Sequence, residues 1–389
     1  VTGNPDVLRV AIVGCGGIAR SHGRAYAADP RVELVAVHDV SPAAAQAFAD
    51  EVGATAINSL ADLAALDVQL VSVCTPPGTH TDTTVELLGL GVCVLLEKPP
   101  TVNLADMDRI AQAEAVAPGS VFVVFQHRHG SGAKRAHRLL ADGSLGVPQV
   151  AVCETLWYRP DSYFDPEWRG NWVGEGGGPT LGHGIHQIDL LLHLLGEWST
   201  VDAVAARVAR PVEFEDVSTA SVTFTSGAVA SVTTSLLSPR ETSRIRIDTT
   251  GGTLEVEHLY GYADADWSWY PLPDARTAAA NGQDPGAGRR NADHDGSLQD
   301  VWTASAGEDV PSNHAAQIHD LVGDLLAGRP HPTTLASTRP TMEFVTALYA
   351  SSLEGGTVAR ADLTPDRPFY RSLDGGLSAQ RVSARLTRA

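Results

Sequence analysis

The sequence predicts an α/β domain followed by an α+β domain with a large, mostly antiparallel open sheet, and three observations carry this. From Leu8 to about Gln126, short β-branched apolar runs alternate with Ala- and Leu-rich helical stretches, the pattern of repeated βαβ units. Beyond Gln126, strand-like runs follow one another without intervening helices, and several alternate apolar residues with Ser or Thr, as antiparallel strands with one covered face do. At 389 residues the chain is also too long for one ordinary core. The expected division is 1–127 for the first domain, 128–372 for the second and 373–389 for a polar tail.

In the first domain the strands are Arg9 to Val13, Val32 to His38, Leu70 to Cys74, Val92 to Glu97 and Val121 to Phe125, mostly continuous apolar runs suited to burial on both faces. Helices fall at Ile18 to Ala28, Pro42 to Val52, Ser59 to Leu66, Thr81 to Leu90 and Leu104 to Ala115, several opened by a Ser, Thr, Asn or Asp able to cap them. A helix near Ala133 to Ala141 leads into the strand Val150 to Trp157. An aromatic, charged loop then reaches Gly176-Gly177-Gly178 and the helix His183 to Leu195. The strands Val201 to Val208, Val217 to Phe224, Val229 to Leu236, Arg244 to Asp248 and Thr253 to Glu257 build the second sheet. Asp274 to Asp300, rich in Gly, Asn, Asp and Ala without a period, reads as a long surface loop, with ordering over a site as the alternative. Two helices, Ala315 to Ala327 and Thr341 to Glu354, precede the tail.

Composition narrows the partners. The formal net charge of −18 argues against nucleic acid and anionic membranes, which need clustered Lys and Arg. Val1 to Leu8 is not a basic flank leading into an apolar signal segment, and no apolar run approaches a membrane span. A soluble, cytoplasmic protein is expected. Cys15, Cys74, Cys93 and Cys153 lie in or beside buried strands without disulfide or metal-ligand spacing, so they read as small core residues.

The first strand runs into Gly14-Cys15-Gly16-Gly17-Ile18-Ala19 and then a helix, the strand-turn-helix context that a bare G-x-G-x-x-G match lacks. Gly14 permits the tight turn, Gly16 lets the backbone approach a pyrophosphate, and Ala19 keeps the helix close to the strand. The helix N-terminus offers free N–H donors and a partial positive charge to phosphates. Asp39 ends the second strand twenty residues after Ala19, and no Lys or Arg follows closely. A carboxylate there accepts ribose hydroxyls and repels a 2′-phosphate, so NAD(H) is expected over NADP(H). Glu97-Lys98-Pro99 closes another strand and delivers an ammonium to the carboxyl edge of the sheet, where open α/β sheets bind ligands. Taken alone the tripeptide reads first as a solvated charge pair, and its position at the strand end reverses that.

The fingerprint, Asp39, the stretch Cys74-Thr75-Pro76-Pro77-Gly78-Thr79-His80 and Glu97-Lys98-Pro99 together resemble the Gfo/Idh/MocA oxidoreductases. Gly176-Gly177-Gly178 followed by Gly184-Ile185-His186-Gln187-Ile188-Asp189 looks like that family's Gly-rich turn and catalytic helix. The resemblance implies a Rossmann domain and a second domain whose sheet often forms the oligomer interface, hence a homodimer or homotetramer. It also implies that Thr75, Pro76 and His80 line the cofactor, that Glu97 and Lys98 reach the nicotinamide, and that Gln126 lies at the domain crossover. Lys98 would contact cofactor and substrate oxygen, and His186 would be the acid/base for a secondary alcohol on a sugar or cyclic polyol.

The chemistry agrees with those roles. Moving a hydride from a carbinol carbon requires a base for the hydroxyl proton, which histidine supplies, and an ammonium stabilises the developing alkoxide. His183, His186 and Asp189 follow at i, i+3 and i+6, which places them on one broad helix face. That triplet is also a spacing a metal can use, but ligands need mutual orientation, and no metal is expected. Without the resemblance, His186 reads as an ordinary buried histidine. One departure stands out: many family members carry Asp or Asn four residues before the histidine, where this chain has Gly182. Either His183 takes over part of that role, or His186 works with Lys98 and another group, or the chemistry differs. Substrate candidates are Tyr158, Arg159, Arg169 and Trp172 in the aromatic loop, with Asp189 on the helix; plain packing is the competing reading for each Trp. Two other functions fit the same residues, an NAD-retaining glycoside-cleaving enzyme and a non-catalytic NAD(H)-binding regulatory protein.

Overall fold

The computed structural model describes residues 7–272 and 300–386. The loop expected over Asp274 to Asp300 lies outside them except for Asp300, which opens a short helix, Asp300–Ala304.

The first part alternates strand and helix: β1 (Leu8–Val13), α1 (Ala19–Ala28), β2 (Val32–His38), α2 (Pro42–Val52), β3 (Thr55–Ala56), β4 (Leu70–Val73), α3 (His80–Gly89), β5 (Cys93–Leu96), α4 (Leu104–Glu114) and β6 (Val121–Val123). All six strands are parallel in the order β3-β2-β1-β4-β5-β6. The chain reverses direction across the sheet between β1 and β4, and this fixes a ligand crevice beyond their carboxyl ends. Both faces are covered, as Val10, Ile12, Leu70, Val71, Val94 and Leu95 at zero exposure attest. Ser41 caps α2 and Asn103 caps α4, each accepting a backbone N–H of the first turn. Ser59 to Leu66 is a tighter 3₁₀ segment, Leu60–Leu66. The strands expected to run through Cys74, Glu97 and Phe125 stop one or two residues earlier, because the chain there leaves the ladder to build the site. The two-residue β3 is too short to leave a periodic signal.

The second part begins with α5 (Ser131–Ala141), β7 (Pro148–Tyr158), α6 (Trp172–Glu175) and α7 (Ile185–Leu195). It continues as β8 (Trp198–Ala206), β9 (Val217–Phe224), β10 (Val229–Ser235), β11 (Leu237–Thr249), β12 (Gly252–His258), β13 (Trp267–Pro271) and β14 (Val358–Ala359). The order is β13-β12-β11-β7-β10-β9-β8-β14, antiparallel throughout except for the parallel pair β7–β10. One face is buried under α7 and the helix Leu335–Glu354 through Ile188, Leu191, Phe344 and Leu348. On the other face Thr219, Ser221, Thr223, Val229 and Ser231 are exposed. In β11 the register slips between Leu237, opposite Tyr158, and Thr242, opposite Leu156, so extra residues around Pro239 bulge towards the end of β7.

Three expectations are corrected. The helix His314–Ala327 does not belong with the second sheet: its Ile318, Leu321 and Val322 pack with Ala19, Ala25 and Tyr26 of α1, and Gln317 donates to the carbonyl of Val123. Residues 373–389 are not simply a tail, since a helix at Ala379–Leu386 buries Val382 and Leu386. The helix expected from Thr341 starts at Leu335, capped by Thr334, and runs through Pro340.

Candidate active site

The turn after β1 shows what its glycines are for. Gly14 has φ of +90°, and a Cβ on it would lie 2.7 Å from the carbonyl carbon of Cys74, so β4 approaches too closely for any side chain. Gly16 and Gly17 are exposed, and a Cβ on either would meet no protein atom within 4 Å. No described side chain caps α1 at Ile18, which leaves the helix start open to an anion. Asp39 accepts the N–H of Cys15 at 2.8 Å and of Ser41 at 2.8 Å, which locks its carboxylate beside the turn. These residues fit a dinucleotide: a glycine forced by close approach, an open backbone, an uncapped helix and a fixed carboxylate at the end of β2.

At the ends of β4 and β5 the expected residues divide into a lining and its supports. Thr75 and Pro76 stay accessible, whereas His80 is buried with its ring nitrogens on the carbonyls of Pro99 (2.8 Å) and Thr75 (2.9 Å). His80 therefore acts through the loops it braces. Glu97 is also turned inward: Oε1 meets Nε2 of His22 at 2.9 Å and Nε2 of His314 at 3.2 Å, and Oε2 accepts the N–H of Lys98 at 3.1 Å. His22 in turn meets Ser72 Oγ at 2.9 Å. His22, Glu97 and His314 lie close enough together to hold an ion, and here the two rings are hydrogen-bonded to the carboxylate between them. The two histidines hold the Glu97 carboxyl well below the usual range against the opposing effect of burial, so it remains the counter-charge next to Lys98. Gln126 is buried and donates to the hydroxyl of Tyr260.

Lys98 crosses to the second part of the chain, where its Nζ donates to the carbonyl of Gly182 at 3.1 Å. Burial pulls the Lys98 pKa down and Glu97 opposes this. Gly182 lies in a π-helical turn, Thr180–Gly184, and α7 begins only at Ile185. Gly184 is obligatory, since a Cβ would lie 2.4 Å from Thr234 Oγ1. The expected single face does not form. His183 and His186 line one cavity, while Asp189 turns away into a buried pair with Arg128 (2.7 Å to Nε) and a hydrogen bond from Thr341 (2.9 Å). Asp189 is thus engaged within the fold and does not line the cavity. His186 is 2 % exposed, neither ring nitrogen has a partner among the described residues, and its pKa is held well below the ordinary value by burial first and then by Lys98 and His127.

The cavity, about 370 Å³, is walled by Lys98, Trp157, Arg159, Tyr163, Gly182, His183, His186, Glu241, Leu259 and Tyr260. Of the proposed substrate residues Arg159 is here, donating to Glu241 at 2.9 Å with its guanidinium 4.9 Å from the Trp157 ring. Arg169 stands behind Tyr163, bonded to its hydroxyl and to Glu175. Trp172 packs edge-on against Phe214 and Tyr349, and Tyr158 is 41 % exposed beneath Arg210, so neither lines the cavity. Sequence reasoning missed Trp157, Glu241, Leu259 and Tyr260. Pro239 within a strand was the one available signal for the bulge that brings Glu241 to Arg159. Nothing local marks Tyr260.

Residues 8–125 match the oxidoreductase family with an NAD-binding Rossmann fold, and residues 133–255 match the GFO/IDH/MocA C-terminal domain. The chain belongs to the GFO/IDH/MocA oxidoreductases, NAD-dependent enzymes acting on CH–OH groups. It is 28 % identical over 280 residues to the D-glucoside 3-dehydrogenase of Escherichia coli, spanning 65 % of this chain and 78 % of the relative. It is 26 % identical over 386 residues to the D-apiose dehydrogenase of Paraburkholderia graminis, with 94 % and 93 % covered. The crystal structure of the WlbA dehydrogenase from Bordetella pertussis, in complex with NADH and UDP-GlcNAcA, superposes with a TM-score of 0.75 at 25 % identity, covering 91 % of this chain and 97 % of that one.

Proposed function

We propose that this protein transfers a hydride between NAD(H) and a secondary alcohol or ketone of a sugar, glycoside or cyclic polyol, with His186 as acid/base and Lys98 on the substrate oxygen. The observation that carries this is the convergence of Lys98 from β5 and the unpartnered His186 from α7 in one cavity. Bound nicotinamide would accept or give the hydride. His186, neutral at physiological pH because burial and Lys98 oppose its charging, is ready to take the hydroxyl proton during oxidation. Lys98 is placed to hold the same oxygen and to offset the negative charge that grows on it. The carbohydrate class rests on the polar rim of Arg159 and Glu241 over aromatic walls, and on the relatives named for a D-glucoside and D-apiose. The preference for NAD(H) over NADP(H) rests on Asp39. We further propose that the open face of the second sheet joins two or more copies.

The test is reduced-nicotinamide absorbance with NAD and a panel of glycosides, pentoses and cyclic polyols. One of these should reduce NAD at steady state. His186→Ala should lower turnover on it by roughly a hundredfold to ten-thousandfold with cofactor affinity nearly intact. Wild-type turnover in that variant would overturn the assignment.

A further inference from the structure

Gly182 leaves this site without the side chain that would otherwise stand beside Lys98. The space is open, since a Cβ there would meet nothing within 4 Å, and the Gly182 carbonyl is occupied by Lys98. The adjacent residue, His183, is the end of a directed chain of hydrogen bonds. Arg169 donates from Nη1 to the hydroxyl of Tyr163 and is itself steadied by Glu175 at 3.1 Å and by the faces of Tyr163 (4.0 Å) and Trp168 (4.2 Å). The Tyr163 hydroxyl lies 3.3 Å from Nε2 of His183.

A guanidinium can only donate, so the Tyr163 oxygen accepts from Arg169. With that acceptor site taken, the Tyr163 hydroxyl is best satisfied by giving its own proton to His183 Nε2 as the acceptor. An imidazole that is neutral and accepts at Nε2 carries its proton on Nδ1. His183 Nδ1 is buried and finds no partner among the described residues, although the ring forms part of the cavity wall. A buried donor without a partner is a position that a ligand atom is expected to complete.

We infer that His183 keeps its proton on Nδ1 and donates it in a hydrogen bond to an oxygen of the bound substrate, with Tyr163 and Arg169 as positioning residues that favour this tautomer. What the donor touches rests on the proposed dehydrogenase reading; the tautomer does not. A carboxylate at position 182 would only accept hydrogen bonds, whereas this arrangement supplies a second donor beside Lys98. Two donors near His186 suit an oxygen that gains negative charge in the reaction. Burial, reinforced by Lys98, Arg159 and Arg169, opposes protonation of the ring and keeps His183 a one-proton donor.

Two measurements test this. Nitrogen-15 spectra of histidine-labelled protein should show His183 in the Nδ1–H form, with that form lost or mixed in Tyr163→Phe. An Nε2–H signal in the wild type, or a tautomer unchanged in Tyr163→Phe, would overturn the inference whatever the reaction proves to be. On the substrate found by the nicotinamide assay, an Asn amide nitrogen can stand where Nδ1 stands and a Gln amide nitrogen where Nε2 stands. His183→Asn should therefore keep kcat/KM at least about tenfold above His183→Gln. Equal, severe losses would make His183 a proton carrier, and equal activity near wild type would make it packing; either result overturns the donor role. A wild type that turns over NAD with none of the panel would count against the proposed function, while the spectra would still decide the tautomer.

Discussion

Asp39 shows how one side chain can serve a loop and a ligand together. Its two oxygens hold the N–H groups of Cys15 and Ser41, so the carboxylate is immobilised before any ribose arrives, and each oxygen retains a second lone pair. Removing it does more than remove a charge. Asp39→Ala should lower stability by about 1–2 kcal/mol through the freed backbone donors, a cost that sequence reasoning, which saw only the ribose, would not include. Asp39→Asn keeps an acceptor and isolates the charge; its ratio of NADPH to NADH affinity should rise by about tenfold. Competitive titration of the two cofactors reads this, and an unchanged ratio would place the ribose elsewhere. Other single residues divide along the same line. Gly14, Asp39, Lys98 and His186 were legible because a motif states both residue and position. Glu97 and His80 were legible as residues but not as supports, since His22 and His314, which hold Glu97, are far from it in sequence.

At the scale of elements, the Gly-rich turn before α7 is held by a buried acid. Glu215 accepts from the N–H of Thr180 at 3.1 Å and from the hydroxyl of Tyr349 at 2.8 Å, and Tyr349 accepts from the N–H of Gly178. A Cβ on Gly178 would lie 2.6 Å from the Glu215 carboxyl, so the glycine is what lets the acid approach. Burial pushes the Glu215 pKa from 4.5 up to about 7. The folded value lies above the unfolded one, so the native state binds the proton more tightly. This contribution is complete below pH 4.5 and is lost as pH rises to about 7, amounting to about 3 kcal/mol at most. Glu215→Gln has no proton to lose there. The melting temperature of the variant minus that of the wild type should climb between pH 4.5 and 7 and then level off; parallel curves would refute the assignment. The sequence showed three glycines and a helix, because buried strands and amphipathic helices leave periodic patterns. It could not show the π-helical turn or the β11 bulge, which depend on close approach of Thr234 and on register with β7.

Across the whole molecule, the two sheets were legible from the switch between continuous and alternating apolar runs, and the packing of one late helix was not. The helix His314–Ala327 returns to cover α1 because Ile318, Leu321 and Val322 meet an apolar surface that the first 127 residues leave open, a match that no local window contains. His314 begins that helix and binds Glu97, so the return of the chain also steadies the strand end that carries Lys98. The second sheet leaves a face of the opposite kind, flat and rich in Ser and Thr, with Val150 46 % and Val229 47 % exposed at paired positions of β7 and β10. Apolar side chains side by side on an open sheet are stabilised by burial against another surface, and a second copy of the same face satisfies this through a two-fold axis. Sedimentation at micromolar concentration should show a dimer or tetramer. Val150→Lys combined with Val229→Lys should shift it to monomer, because opposed copies would bring four ammonium groups into an interface that cannot hydrate them. Both side chains point away from the core, so circular dichroism should be unchanged. A monomeric wild type, or an assembly indifferent to the two lysines, would remove this face from the interface.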